Sequence, residues 1–292
     1  MNATTARPQG PEVVDSEDAT RREALRARRR RRRLLWLSRA AFAIVFVGGW
    51  QLLTELKWLD PFFYGQPTLI WQSLVDLFTK GTEFGSIWVD IGTTLREAVY
   101  GFLLGSATGV IVGLVLGQNR FLADVLGPFI KIVNAIPRII LGSIFLVAFG
   151  LGPLPKILLA AVLVFFVVFF NAFQGVREVD PNLVANVKVL GASPFQVARH
   201  VTIPSALTWI IASLHTAFGF AIIGALVGEV LGSQRGIGLV ISQAQGRLDP
   251  NTVFAGMAIM AVITLAAEYL ITLLEKRVLS WRPPAHAELQ VI

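Results

Sequence analysis

Residues 157–176 read ILLAAVLVFFVVFFNAFQGV, twenty consecutive positions without Asp, Glu, Lys or Arg. A helix rising 1.5 Å per residue needs about 20 such residues to cross the roughly 30 Å hydrocarbon layer of a bilayer, and there every backbone N–H and C=O must be satisfied internally. The run therefore predicts a transmembrane helix. A second run, 201–228, also lacks all four charged residue types. Hydrophobic residues make up 54% of the chain against 15% charged, with a mean hydropathy of +0.63, so the membrane reading extends to the whole chain. Six segments are long and apolar enough to span: about 34–56, 95–117, 127–150 (broken by Pro137), 155–176, 205–231 and 252–275. The expected fold class is all-α, a polytopic membrane protein with six transmembrane helices.

Charge sets the expected topology. Ten of the 26 Lys and Arg residues lie in the first 33 positions, ending in six consecutive arginines at 28–33 against the first apolar stretch. That is the place of a cytoplasmic anchor near anionic headgroups, and it accounts for most of the +7 net charge without nucleic acid as a partner. The stretch after the arm contains Arg39 and runs on through Leu53, longer than a signal-peptide core, so a cleaved leader is not expected. Six spans put both termini in the cytoplasm, with Lys276, Arg277, Arg282 and the interfacial Trp281 in agreement. The expected domains are a disordered arm at 1–33, a transmembrane domain at 34–280 with a polar segment at about 180–204, and a cytoplasmic tail at 281–292. Residues 57–94 then lie outside, as do 232–250, a short Gly-punctuated stretch that reads as a re-entrant or interfacial helix.

Several chemistries are excluded or weakened. With no Cys there are no disulfides or thiolate sites, and His200, His215 and His286 are too scattered for a metal cluster. No nucleophile and base are paired in a recognisable motif. A P-loop needs Gly-x-x-x-x-Gly-Lys-Ser/Thr, and none of the six lysines is followed by Ser or Thr.

Packing and polar positions are also legible. Gly101, Gly105, Gly109, Gly113 and Gly117 recur every four residues, opening a groove where a neighbouring helix can approach closely, and Gly224, Gly228 and Gly232 repeat the pattern. Asp124, Lys131 and Arg138 are seven apart and so share a helix face. Ionisable groups inside a membrane mark functional-site candidates by default. On this basis Arg138, His215 and Glu229, together with the polar Asn134, are expected along a translocation path, and Glu268 raises the same question. Glu229 and Glu268 are also the acids that a self-sufficient ion-coupled transporter would need.

The polar stretch VREVDPNLVANVKVLGASPFQVARHVTIP lies between the fourth and fifth spans. Asp180-Pro181 and Ser193-Pro194 each place a capping side chain before a proline at the first helical position, and Gly191 marks the end of the first helix. Pro204 reads as the start of the fifth span. Two short cytoplasmic helices, about 181–190 and 194–201, are expected. Phe195 and Ala198 share a face on the second, flanked by Gln196 and Arg199. Such a helix suits either a groove on another protein or the membrane surface.

Gly191, nine residues, then Val201-Thr202-Ile203-Pro204 is similar to the cytoplasmic signature of permease subunits of ATP-binding-cassette importers, in which Glu-Ala-Ala, three residues, Gly and nine residues precede Ile-x-Leu-Pro. Here the Glu-Ala-Ala positions are Ala185, Asn186 and Val187. FYGQPTLIWQSLVDLFTKG, TLREAVYGFLLG, NAIPRIILGSIFLVAFGLGPLPK and GALVGEVLGSQRGIGLVI resemble the nitrate, sulfonate and taurine branch, and together the likeness covers about residues 60–280. The resemblance implies a non-catalytic permease subunit of a bacterial inner or plasma membrane. Two copies would form the path, an external solute-binding protein would deliver a small anion, and cytosolic ATPase subunits would bind the ATP and Mg. It implies that Pro181, Ala185, Lys188, Gly191, Ala192, Ser193, Phe195, Arg199 and Pro204 couple the permease to that ATPase.

Overall fold

The computed structural model describes residues 11–278, and every regular element among them is helical. The tail from 281, with Trp281 and Arg282, lies outside the described residues. In chain order the helices are α1 (Pro11–Glu55), α2 (Pro61–Tyr64), α3 (Pro67–Thr79), α4 (Ile87–Gln118), α5 (Arg120–Ala135), α6 (Arg138–Phe149), α7 (Pro153–Arg177), α8 (Pro181–Val189), α9 (Pro194–Val197), α10 (Ile203–Leu231), α11 (Ile237–Gly246) and α12 (Pro250–Val278), with a π-helical turn at Ala198–Thr202. The chain divides into two compact units between Thr68 and Leu69.

In the first unit α1 continues through the arginine run back to Pro11, where the sequence reading expected a disordered arm. The reason is local: Glu, Ala, Leu and Arg dominate residues 21–33, and all four are strong helix formers. Residues 28–33 are exposed along it, and so is the apolar stretch after them. Asp60 caps α2 by accepting the Phe62 N–H at 2.9 Å, with Pro61 at the first helical position. The Gln51 side chain accepts the Thr68 N–H at 3.2 Å.

The second unit is built around α7, with α4 and α10 packed on it. Side chains added at Gly109, Gly113 and Gly117 would put a Cβ 2.9 Å from the Phe165 carbonyl oxygen, 2.7 Å from Ala172 Cβ and 2.7 Å from Val176 Cβ. Gly101 and Gly105 meet Ala160 and Ala161 in the same way. The five glycines of α4 thus form one seam against α7. Gly224 and Gly228 of α10 lie against Ala160 and Lys156 of α7, and the Gly175 position of α7 is filled by Ala206 and Trp209. Close backbone approach, which gains dispersion contacts where no water-driven term acts between helices, holds this trio together.

The third predicted span is not a straight crossing. Its apolar stretch is split into α5 and α6, bent by 84° at the Ile136–Pro137 junction. Proline drives the preceding residue out of the helical region, and Ile136 is extended at φ −66°, ψ 128°. Among the described residues, five single helices are long and apolar enough to cross a membrane, and the bent pair makes a sixth crossing if it counts as one. The stretch 232–250, expected to form a re-entrant or interfacial helix, holds the short helix α11, buried through Ile237, Val240, Ile241 and Ala244 and packed on α12, where Ile241 faces Gly256.

Candidate functional site

The segment joining α7 to α10 has three stop-and-start devices. Asp180 accepts the Asn182 N–H at 2.8 Å and opens α8. Gly191, at φ +87°, closes it: its N–H reaches the Lys188 carbonyl at 2.9 Å and the Ala192 N–H reaches that of Val187 at 3.2 Å, the paired bonds of a Schellman turn. Ser193 and Gln196 then form a reciprocal capping box, with Gln196 N–H to Ser193 Oγ at 3.3 Å and Ser193 N–H to Gln196 Oε1 at 2.8 Å.

Beyond the capping box the structure departs from the sequence expectation. Residues 194–201 are not a separate short helix, because Pro194–Leu231 is one continuous helical stretch of 38 residues. Pro204 lacks an N–H, and in a regular helix its ring would collide with the carbonyl four residues back. The π-helical turn at Ala198–Thr202 relieves this: the Ile203 N–H donates to Ala198, five residues away, and the widened turn admits the proline. Pro204 therefore lies inside a helix that begins at Pro194. α8 alone is a free short helix.

Pro181, Ala185, Lys188, Gly191, Ser193, Arg199 and Pro204 are exposed, and Ala192 is half-buried. Phe195 is 71% exposed, while Val197, Val201 and Thr202 turn inward. Val189 and Leu190, which are not among the expected coupling residues, are 87% and 85% exposed beside the Gly191 turn. Their signal was two apolar side chains set immediately before a helix-ending glycine. Three apolar groups thus flank one rigid turn, a surface suited to a protein groove.

The path candidates do not form one cluster. Asn134 and Arg138 meet across the α5–α6 bend, where Arg138 Nη2 donates to Asn134 Oδ1 at 2.6 Å and its guanidinium lies 5.2 Å from the Phe166 ring centre. His215 is half-buried on α10, and Glu268 is exposed on α12. Glu229 is fully buried elsewhere. Its Oε1 accepts from Thr94 Oγ1 at 2.7 Å and its Oε2 from the Gly238 N–H at 2.6 Å.

Glu229 belongs to a buried polar cluster with Asp90, Thr94, Glu97 and Lys156. Lys156 Nζ donates to the carbonyls of Leu151 and Gly152 at 2.7 and 2.8 Å. The N-terminus of α11 points into the cluster. Three successive amides are received there: Gly236 by Asp90 Oδ1 at 3.2 Å, Ile237 by Thr94 Oγ1 at 3.0 Å and Gly238 by Glu229. Acceptors and negative charge at a helix N-terminus satisfy its orphan donors and oppose its dipole. The cluster therefore pins α11 to α4 and α10. The sequence carried a usable signal, since Asp90, Thr94 and Glu97 continue toward the helix start the same face that bears Gly101 to Gly117. Outside it, Arg235 Nη1 bonds the Phe84 carbonyl and Arg247 pairs with Glu83.

Residues 105–280 match the family described as binding-protein-dependent transport system inner membrane component. The chain belongs to this family. A relative in Bacillus subtilis, SsuC, named for aliphatic sulfonates transport, is 31% identical over 93% of this chain and 97% of its own length. The taurine transport system permease protein TauC of Escherichia coli is 26% identical over 89% of the chain and 96% of its own. The riboflavin transport system permease protein RibX of Chloroflexus aurantiacus is 30% identical over 80% and 85%. Among solved structures, a chain of the MetNI methionine ABC transporter in inward-facing conformations matches with a TM-score of 0.54, over 64% of this permease and 91% of that chain, at 21% identity, a likeness of fold. The permease is thus a multi-pass inner-membrane transport component of an ABC importer, and its family implies an ATPase and a substrate-binding protein as partners.

Proposed function

We propose that this permease forms the translocation path for a small sulfonate or a related anion, handed over by an external binding protein and driven by cytosolic ATPase subunits. Two copies form the path, and both termini face the cytoplasm. α8, the Gly191 turn and α9 dock into a groove on the ATPase, which supplies ATP and Mg. The observation that carries this reading is the rigid turn presenting Val189, Leu190 and Phe195, built by a Schellman closure followed by a capping box. The substrate class is supported by the likeness to the sulfonate and taurine permeases across nearly the whole chain.

The continuous stretch from Pro194 gives the coupling its route. A displacement of α9 is carried through the π-helical turn into α10, which is seamed to α7 and ends at Glu229 and the α11 anchor. ATP-driven closure of the ATPase pair then rocks packed helices from one access state to the other. The position of the family's acidic contact is Ala185, so docking relies on the apolar groups and on Arg199.

The chain contains no Cys, which makes single-cysteine cross-linking direct. Phe195→Cys, co-expressed with an ATPase carrying one cysteine in its groove, should form an oxidative cross-link to the ATPase, and Phe63→Cys should not. Equal cross-linking from both positions would remove the docking assignment.

A further inference from the structure

Two cavities in the second unit share the residues Asp124 and Arg177 and have opposite chemistry. The first, about 640 Å³, lies between α4, α5, α8 and α9 and is lined by Arg120, Arg177 and Lys188, with Asp124 as its one acid. The second, about 470 Å³, lies between α5 and α7 and is walled by Leu116, Ile130, Phe169, Phe170 and Phe173, with Lys131 at its border. Arg177 spans the junction, its guanidinium 4.6 Å from the ring centre of Phe173. A cationic pocket adjoining an aromatic and aliphatic crevice asks for an amphiphile with an anionic head and an apolar tail.

We infer that this pair of cavities binds one anionic phospholipid of the cytoplasmic leaflet, its phosphate on Arg120, Arg177 and Lys188 and an acyl chain along Phe169, Phe170 and Phe173. The leaflet rests on the proposed orientation of the permease; the chemistry of the cavities does not depend on it. Guanidinium groups match phosphate oxygens in a planar, bidentate way, and basic pockets between membrane helices favour anionic headgroups. Three cations against Asp124 leave the head pocket net positive. A free inorganic anion would be served by the first cavity alone and would leave the apolar crevice empty. Because Lys188 belongs to α8 and Arg120 to α5, the lipid ties the docking segment to the α4–α5 corner and makes coupling sensitive to lipid composition.

The test is native mass spectrometry of the full chain released from nanodiscs of phosphatidylcholine containing phosphatidylglycerol. One retained phosphatidylglycerol per chain is expected, with no comparable retention of phosphatidylcholine. With about 1 kcal/mol assigned to each cation near a lipid surface, loss of two should weaken retention about 25-fold in Arg120→Gln/Arg177→Gln. The exposed single change Lys188→Gln should weaken it about fivefold and guards against a folding defect in the double variant. Arg39→Gln serves as a control on bulk charge. Equal retention of the two lipids, full displacement by inorganic phosphate, or unaltered retention in both variants would overturn the inference, as would a crevice filled by a second copy of the chain, seen as loss of dimer without loss of lipid. Intact uptake in the Arg120→Gln/Arg177→Gln chain once it has lost the lipid would overturn the claimed effect on coupling while leaving the transport reading standing.

Discussion

Glu229 illustrates how a membrane carboxyl can look like a transport residue and be placed as a structural acceptor. Both its oxygens are taken, by Thr94 and by the Gly238 amide, and a Cβ at Gly238 would come within 2.6 Å of Glu229 Cβ. Replacing it by Ala strands the buried Gly238 amide, at about 1–3 kcal/mol, and leaves the Thr94 hydroxyl only its longer bond to the Asp90 carbonyl at 3.2 Å. Glu229→Ala should therefore lower the thermal unfolding temperature in detergent, and Glu229→Gln, which keeps an acceptor, should lower it less; equal effects would contradict the anchoring role. The Glu83 carboxyl, outside the membrane, is held below its ordinary 4.5 by the hydrogen bond from Arg247. A depressed carboxyl contributes stability above its unfolded pKa and loses it as pH falls through the folded value. An NMR titration of Glu83 should find a midpoint below 4.5 that returns toward 4.5 in Arg247→Gln. Sequence reasoning singled out Glu229 because an ionisable residue in an apolar run stands out. Its pairing with Thr94 was not legible, since the two lie 135 positions apart and are brought near only by packing of α4 and α10 on α7.

At the scale of elements, the spans were legible because hydropathy over twenty residues integrates a strong term that tertiary context rarely reverses. The break at Pro137 was legible from the proline, but the 84° bend was not, since a missing N–H fixes where a helix stops and leaves its new direction to packing. Pro204 misled for the opposite reason. It has the form of a helix start, and only the π-helical turn before it lets the helix run through. The glycine seam carries its own prediction. Gly113→Leu would drive a side chain into Phe169 and Ala172 and should cost about 1–3 kcal/mol of overpacking. Gly127→Leu, at a position with nothing within 4 Å of an added Cβ, should cost far less. Detergent-solubilised unfolding curves of the two variants test the seam, and equal destabilisation would contradict it.

At the scale of the molecule, the second unit has the proposed docking turn at one end of its long helical stretch and a polar anchor at the other, joined by α10, whose Gly224 and Gly228 seat it on α7. That arrangement suits a part moved by a partner, and the chain carries no P-loop of its own. The decisive measurement is uptake of a radiolabelled aliphatic sulfonate into proteoliposomes holding the permease, its ATPase and its binding protein, with ATP hydrolysis followed in the same vesicles. Uptake should require all three proteins and ATP, and in Gly191→Val and Phe195→Ala it should fall at least tenfold while assembly in the membrane persists. Uptake by the permease alone on an ion gradient, or full ATP-driven uptake in both variants, would contradict the coupling mechanism.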